Sequence, residues 1–298
     1  MEYLRVFALS DLHVDYAENW EWLNALSLEG HERDALIVAG DVSDDLEKLG
    51  AVFRLLTARF GNVFFVPGNH ELWVPGQGAQ DSLGKFREVL ECCGRWGVHT
   101  QPQRMEARDG SAVWIVPLLS WYVTPEQGQD SLYIPKEGRD LTMAAWSDKV
   151  FFKWPLADSP ADYFLQLNEP HLQRRYDAPV ISFSHFLPRS ELIFPSPAEL
   201  ARLKMALIKA HGKLRAPPIN FSRVAGSRGL EAQIRRLGST LHVYGHQHRN
   251  RARRIEGVWY VSHCLGYPQE RARPYLSLAA EGPRLIWQSG KTYSQEEN

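Results

Sequence analysis

The stretch from Leu4 to His13, Leu4-Arg5-Val6-Phe7-Ala8-Leu9-Ser10-Asp11-Leu12-His13, sets the pattern by which the rest of the chain can be read. A short apolar run, broken only by Arg5, stops at a polar turn that carries a carboxylate and an imidazole. Near-continuous hydrophobicity marks a strand buried on both faces. The pattern recurs: Ala35 to Ala39 runs into Gly40-Asp41, and Val63 to Val66 into Pro67-Gly68-Asn69-His70-Glu71. Val180 to Phe183 runs into Ser184-His185, and Leu241 to Tyr244 into Gly245-His246-Gln247-His248. Between the first three runs, Trp20, Leu23 and Leu26, then Leu46, Leu49, Phe53, Leu56 and Phe60, keep helical spacing. The N-terminal part therefore reads β-α-β-α-β, with parallel strands and right-handed crossovers.

Ligand sites in α/β sheets lie beyond the carboxyl ends of the strands. Five such ends, each delivering an oxygen or imidazole donor, point to one shared centre. Asp11 to Asp41 spans 30 residues and Asp41 to Asn69 spans 28, each about one β-α-β unit. Glycines at 40, 68 and 245 permit tight turns. Asp11 with His13, and His246 with His248, stand two apart, which on extended backbone places both side chains on one side. Taken singly these signals are weak: Asp41 and Asp44 precede a helix and are ordinary N-cap candidates, and a lone histidine at a strand end is commonly a hydrogen-bonded structural residue. Their joint order and position carry the reading.

Elsewhere, Ala112 to Pro117 predicts a further strand and the glycine- and proline-bearing stretch Tyr122 to Asp140 a long surface loop. Helices are expected near Leu141 to Lys153, Ala161 to Tyr176 and Ala198 to Lys209. Short runs at Ala252 to Ile255, Val258 to Val261, Tyr275 to Ala279 and Arg284 to Trp287 suggest an antiparallel sheet, with Ser294 to Asn298 frayed. A length of 298 residues with 44% apolar side chains suits one large domain over 1–298, with a helical and loop insertion at about 119–176. Opposing totals of 34 basic and 35 acidic residues leave no global field for membranes or duplex nucleic acid, so recognition of an anion must be local. Cys92, Cys93 and Cys264 form no even disulfide set, and the N-terminal apolar run lacks signal-peptide features. No run approaches membrane-spanning length, and a cytoplasmic location is expected.

The order Asp-x-His, Gly-Asp-x-x-Asp, Gly-Asn-His-Glu, lone His and Gly-His-x-His, spread over residues 11 to 248, resembles the calcineurin-like metallophosphoesterases. The resemblance implies an α/β fold, a four-layer α/β/β/α sandwich of two mixed β-sheets flanked by helices. It also implies two divalent metal ions. Asp11, His13, Asp41 and His248 would hold one, and Asp41, Asn69, His185 and His246 the other, with Asp41 bridging. His70 would lie by the leaving group as acid, oriented by Asp44. Nitrogen and carboxylate donors without thiolate suit manganese, iron, zinc, cobalt or nickel.

The implied activity is hydrolysis of a phosphate ester, monoester or diester, on a small molecule or nucleotide. Two metal ions would activate water and clamp the phosphoryl oxygens, and with two carboxylates and a hydroxide the centre keeps roughly one unit of positive charge for an anionic substrate. Arg249, opening the basic run Arg249, Arg251, Arg253 and Arg254, is a candidate substrate contact; a solvated strand face is the alternative. Trp121 and Tyr122 in the insertion are candidates for stacking on substrate, or for packing the insertion on the core. Glu71, His263 and Cys264 receive no role. Two other functions compete: a nuclease-type phosphodiesterase, which the near-neutral charge disfavours, and a non-catalytic protein-binding platform, which degenerate ligands would mark. The sequence does not address oligomeric state.

Overall fold

Successive residues of the first strand, β1 (Arg5–Leu9), enter different cores. Phe7 and Leu9 pack under helices, whereas Val6 and Ala8 face a second sheet. The computed structural model describes residues 3–26, 29–76, 80–197, 199–201, 219–271 and 282–291. The same alternation holds along β2 (Ala35–Val38) and β3 (Asn62–Phe65), where Leu36, Val38, Val63 and Phe65 join the helix-covered core and Ala35, Ile37 and Phe64 the inter-sheet core. This two-sided burial is what the unbroken apolar runs encode.

One sheet has the order β10-β1-β2-β3, with β1 to β3 parallel and β10 (Arg284–Gln288) antiparallel at the β1 edge. Helices α1 (Ala17–Ala25), α2 (Leu46–Thr57) and α3 (Ser82–Arg95) cover its outer face through Leu23, Leu49, Phe53, Leu56, Val89 and Cys92. The other sheet runs β4-β5-β6-β7-β9-β8, built from β4 (Gln103–Glu106), β5 (Ala112–Pro117), β6 (Val180–Phe183), β7 (Ser239–Val243), β8 (Arg251–Ile255) and β9 (Val258–Ser262). Val113, Ile115, Ile181, Phe183, Leu241, Val243 and Val261 meet the first sheet in a shared core. Trp114, Val116 and Tyr260 turn outward to a core shared with α8 (Arg228–Arg236), which contributes Leu230 and Ile234. The result is a four-layer α/β/β/α sandwich of two mixed sheets.

Between β5 and β6 lie four short helices: α4 (Thr142–Ala145), α5 (Asp148–Phe151), α6 (Pro160–Leu167) and α7 (Glu169–Gln173). The helix expected over Leu141 to Lys153 is thus broken at Trp146-Ser147, and the one over Ala161 to Tyr176 at Asn168. Asn168 turns its side chain to Leu119 and Gln233, and Pro170 opens the next helix. The stretch Tyr122 to Asp140 is irregular, yet Tyr122, Val123 and Leu132 are buried, so it is not wholly a surface loop.

Three further expectations are corrected. The C-terminal runs do not share one antiparallel sheet: β9 pairs parallel with β7, β8 antiparallel with β9, and β10 crosses to β1. Edge strand β4 was not anticipated, because its alternating, half-exposed residues carry no apolar run. Helix α2 is capped by Asp45, whose side chain accepts from Glu47 N and Lys48 N, and not by Asp41 or Asp44. The run Tyr275 to Ala279, most of the helix expected over Ala198 to Lys209 and the tail Ser294 to Asn298 lie outside the described residues. Among the described residues no helix is long and apolar enough to cross a membrane, and all three cysteines are free thiols.

Candidate metal centre

Hydrogen bonding between neighbouring chains continues past the strand ends and draws the turns together. Asp11 N donates to Gly40 O at 2.9 Å and His13 N to Asp41 O at 3.0 Å; from the other sheet, Gly245 N reaches His185 O at 2.9 Å. The two sheets are joined here by Ser10 N to His263 O at 2.9 Å and Gly266 N to Asp11 O at 2.9 Å. Asn19 on α1 donates to Leu12 O at 2.7 Å and Gly266 O at 3.0 Å, pinning the same junction.

Among the described residues, six without a glycine hydrogen side chain have positive φ, and five of them are Asp11, His13, Asp41, His246 and His248. Left-handed backbone is uncommon for such residues and persists only where surroundings enforce it. Asp11 and His13 therefore converge because each is turned inward by a φ of 52° and 41°, not because the chain is extended, and the same correction applies to His246 and His248 at 69° and 51°. Gly40 shares this conformation at φ 80°. Gly245 serves close approach instead: a Cβ there would lie 2.8 Å from the Asp11 carboxylate.

The donors form two groups. Asp11, His13, Asp41 and His248 offer ligand atoms all within 4.8 Å of one another, and so do Asp41, His185 and His246. Asp41 belongs to both. Asn69 Oδ1 stands 3.3 Å from His185 Nε2, which places the amide oxygen at the second group. His13 Nε2 and His248 Nε2 approach to 3.0 Å, and His185 Nε2 and His246 Nδ1 to 3.2 Å. The opposite ring nitrogens are committed elsewhere, His185 Nδ1 to Ala39 O (2.9 Å), His246 Nε2 to Val224 O (2.9 Å) and His248 Nδ1 to Glu270 Oε2 (2.6 Å). Each of these rings, when neutral, then turns a lone pair inward, the arrangement that metal-ligating histidines show. Lone pairs facing one another at such distances, beside two buried carboxylates, fit a cation in each group. Two candidate metal-binding clusters thus share one aspartate.

Charge balance without metal supports the same fit. Burial works against ionised Asp41, but His185 and His70 outweigh it and hold the carboxyl well below its ordinary value. Burial alone would lower His248, yet Asp11 and Glu270 raise it to about 10; His185 is likewise carried to about 9 against burial by Asp41. His246 is lowered to about 3 by burial and by His185. Each cluster thus attracts one positive charge.

The other expected site residues sit as follows. His70 is at the rim, its ring 3.7 Å from that of Trp73, with Nε2 3.9 Å from Asp41 Oδ2 and 3.4 Å from the Tyr267 hydroxyl. Asp44 is half-buried; burial and Asp15 raise its carboxyl while His70 lowers it, and among the described residues no hydrogen bond joins it to His70. The ring of His70 lies against the Trp73 indole at an interplanar angle of 31°. Arg249 does not line the cavity above the clusters; its Nη1 is directed to Ile193 O at 3.4 Å. Arg251 and Arg253 are structural too, with Arg251 donating to Leu192 O at 2.5 Å and Arg253 to Glu191 O and Phe194 O at 2.6 Å each. Trp121 and Tyr122 are buried and packed with Phe152, Phe164 and Phe186, so they form core rather than a substrate wall.

Several contributors carried no signal that composition or spacing could reveal. Glu71 is fully buried, and its carboxylate accepts from Asp41 N (3.0 Å), Val42 N (2.5 Å), Ser43 N (3.1 Å) and Gly68 N (2.7 Å), locking two ligand turns together. Burial followed by Asp41 raises it to about 7. Its place beside His70 was the only hint. A cavity of about 300 Å³ opens over the clusters, walled by Trp73, Trp146, Phe221 and Tyr267, with Asp148 behind them. None of these residues stands next to a candidate ligand in a motif that the sequence reveals.

A two-sheet sandwich with paired carboxylate and imidazole clusters at its strand ends defines a metallophosphoesterase. The calcineurin-like phosphoesterase family matches residues 4–250, and the chain belongs to that family. It is a metal-dependent hydrolase of phosphate esters. Its similarity to individual proteins is narrower: the acyl-carrier-protein phosphodiesterase PptH of Mycobacterium tuberculosis is 28% identical over 289 residues, covering 91% of this chain and 81% of that one. The crystal structure of phosphopantetheinyl hydrolase PptH from Mycobacterium tuberculosis shares the fold with a TM-score of 0.71 at 22% identity, covering 95% of this chain and 96% of the other.

Proposed function

We propose that the chain is a phosphodiesterase that removes a phosphopantetheinyl group from an acyl-carrier protein, using Asp11, His13, Asp41 and His248 for one metal ion and Asp41, Asn69, His185 and His246 for the other. The observation that carries the diester reading is the cavity wall. Trp73, Trp146, Phe221 and Tyr267 surround the clusters, and among the described lining residues there is no lysine or arginine. A monoester dianion calls for cations beyond the metal pair, whereas a diester bears a single charge and two substituents that apolar walls can accept. The substrate class is taken from the similarity to PptH.

Two bound metal ions would supply a hydroxide nucleophile and neutralise the phosphoryl oxygens. Water oxygen adds to phosphorus, the bond from phosphorus to the carrier serine oxygen breaks, and the departing oxygen takes a proton from His70, at the rim. Aromatic faces hold the amide and alkyl portions of the pantetheinyl arm while the carrier stays outside. Intact donors in both clusters disfavour a non-catalytic platform, and a net charge of −1 disfavours a nuclease acting on duplexes.

The test is mass spectrometry of a phosphopantetheinylated carrier protein incubated with enzyme and manganese, beside bis(p-nitrophenyl) phosphate and p-nitrophenyl phosphate. The carrier should return to its unmodified mass, and kcat/KM should favour the diester. An unchanged carrier together with faster cleavage of the monoester would overturn the proposal.

A further inference from the structure

Asp148 opens α5, within the segment that supplies no metal donor, and its side chain is buried at 3% exposure. Three neutral donors converge on it. Asn69 Nδ2 lies 2.9 Å and Trp73 Nε1 2.6 Å from Oδ1, and Trp146 Nε1 lies 2.8 Å from Oδ2. All three matter for the site directly: Asn69 is a candidate ligand, and Trp73 and Trp146 are cavity walls.

We infer that Asp148 is a positioning residue that fixes which end of the Asn69 amide faces the second metal cluster and couples that choice to the placement of Trp73 and Trp146. A primary amide offers a hydrogen-bond donor at one end and a metal-binding oxygen at the other. A carboxylate accepts only, so it selects the NH₂ end and leaves Oδ1 directed at His185 Nε2, 3.3 Å away. Its charge also polarises the amide and makes the oxygen a better donor to a cation, the service that hydrogen-bond partners behind metal ligands render. The two indoles bond the same carboxylate, so the substrate walls and the ligand share one anchor.

The inference rests on Asn69 being a ligand of a metal pair. The test titrates metal-free full-length protein with manganese by calorimetry, for wild type, Asp148→Asn, Asn69→Ala and the double variant. In Asp148→Asn one ion should bind about 10- to 100-fold more weakly while the other is unchanged. In the Asn69→Ala background the same substitution should add no further loss, because the effect passes through Asn69. Trp146→Phe, which spares the bond from Asp148 to Asn69, should keep both manganese affinities and raise KM. Equal weakening of both ions, additive losses in the double variant, or an equal loss in Trp146→Phe would each overturn the inference. A wild type that binds fewer than two ions would instead remove the metal-pair reading, so the two failures are distinguishable.

Discussion

The turns at the strand ends and the segment between β5 and β6 build the site by opposite means. At the turns every donor lies within a few residues of the end of a buried strand, and five of the seven, all but Asn69 and His185, have left-handed backbone, with Glu71 and Asn19 bracing the turns from behind. In the segment between β5 and β6 no residue belongs to either cluster, yet Asp148 and Trp146 reach the site through side chains alone. Donors that must converge are best delivered by rigid sheets whose geometry repeats. Walls and anchors tolerate any route, so they come from irregular chain.

The sharpest way to break this contrast is at the shared donor. Asp41→Asn should empty both metal positions and bring hydrolysis to background, whereas His13→Ala and His246→Ala should each disturb one position; metal analysis of purified proteins reads the difference, and equal single losses in all three would end the bridging assignment. Next in size is His70→Asn, which should retain both metals and lower kcat by on the order of 10²- to 10⁴-fold. The loss should be greatest for alkyl esters and least for esters releasing a weakly basic phenolate. A uniform loss across leaving groups would mean that His70 holds phosphate rather than donating a proton.

In the segment between β5 and β6 the expected effect is on stability instead. Trp121→Ala should cost about 3–5 kcal/mol of stability while metal content and the ranking of substrates stay put; a changed ranking at full stability would restore Trp121 to the substrate wall. The smallest effect concerns His242, buried beneath the strand ends between Ser182 Oγ at 2.8 Å and Ser184 Oγ at 3.0 Å. Burial lowers it to about 3 from an unfolded value near 6.5. Between those values the unfolded chain binds a proton that the folded chain refuses, so stability rises with pH through that window, by at most about 1.4 kcal/mol per pH unit, and is lost on acidification. Denaturant melts at several pH values should show a shallower slope for His242→Gln than for wild type; parallel slopes would refute the assignment.

How much of this was legible follows from the same contrast. The donors could be read because apolar runs that stop at Asp, Asn or His are local in sequence, and their order from Asp11 to His248 is itself informative. The four layers came only through the family resemblance, since periodicity cannot tell which strands pair: β10 crosses to β1 although β8 and β9, the strands before it, lie in the other sheet. Asp148 was illegible for a related reason. Its bond to Asn69 spans 79 residues, and nothing near it distinguishes it from any acid opening a helix. Arg249, Trp121 and Tyr122 were misplaced because proximity in sequence to a ligand or a loop does not say which way a side chain turns.

The pairing of β1 with β10 also bears on how the chain is made. Leu4 N bonds Ser289 Oγ across 285 residues, so β1 is synthesised long before β10, the strand that supplies its second neighbour. Until then one flank of β1 is an open edge able to pair with any stray strand, on a nascent chain that already carries β2 and β3. The donors are equally scattered, from Asp11 to His248, so neither cluster can be completed by a chain that stops short of His246. Metal loading is thereby postponed until synthesis has passed β7, and a half-made protein captures no ion in the finished geometry.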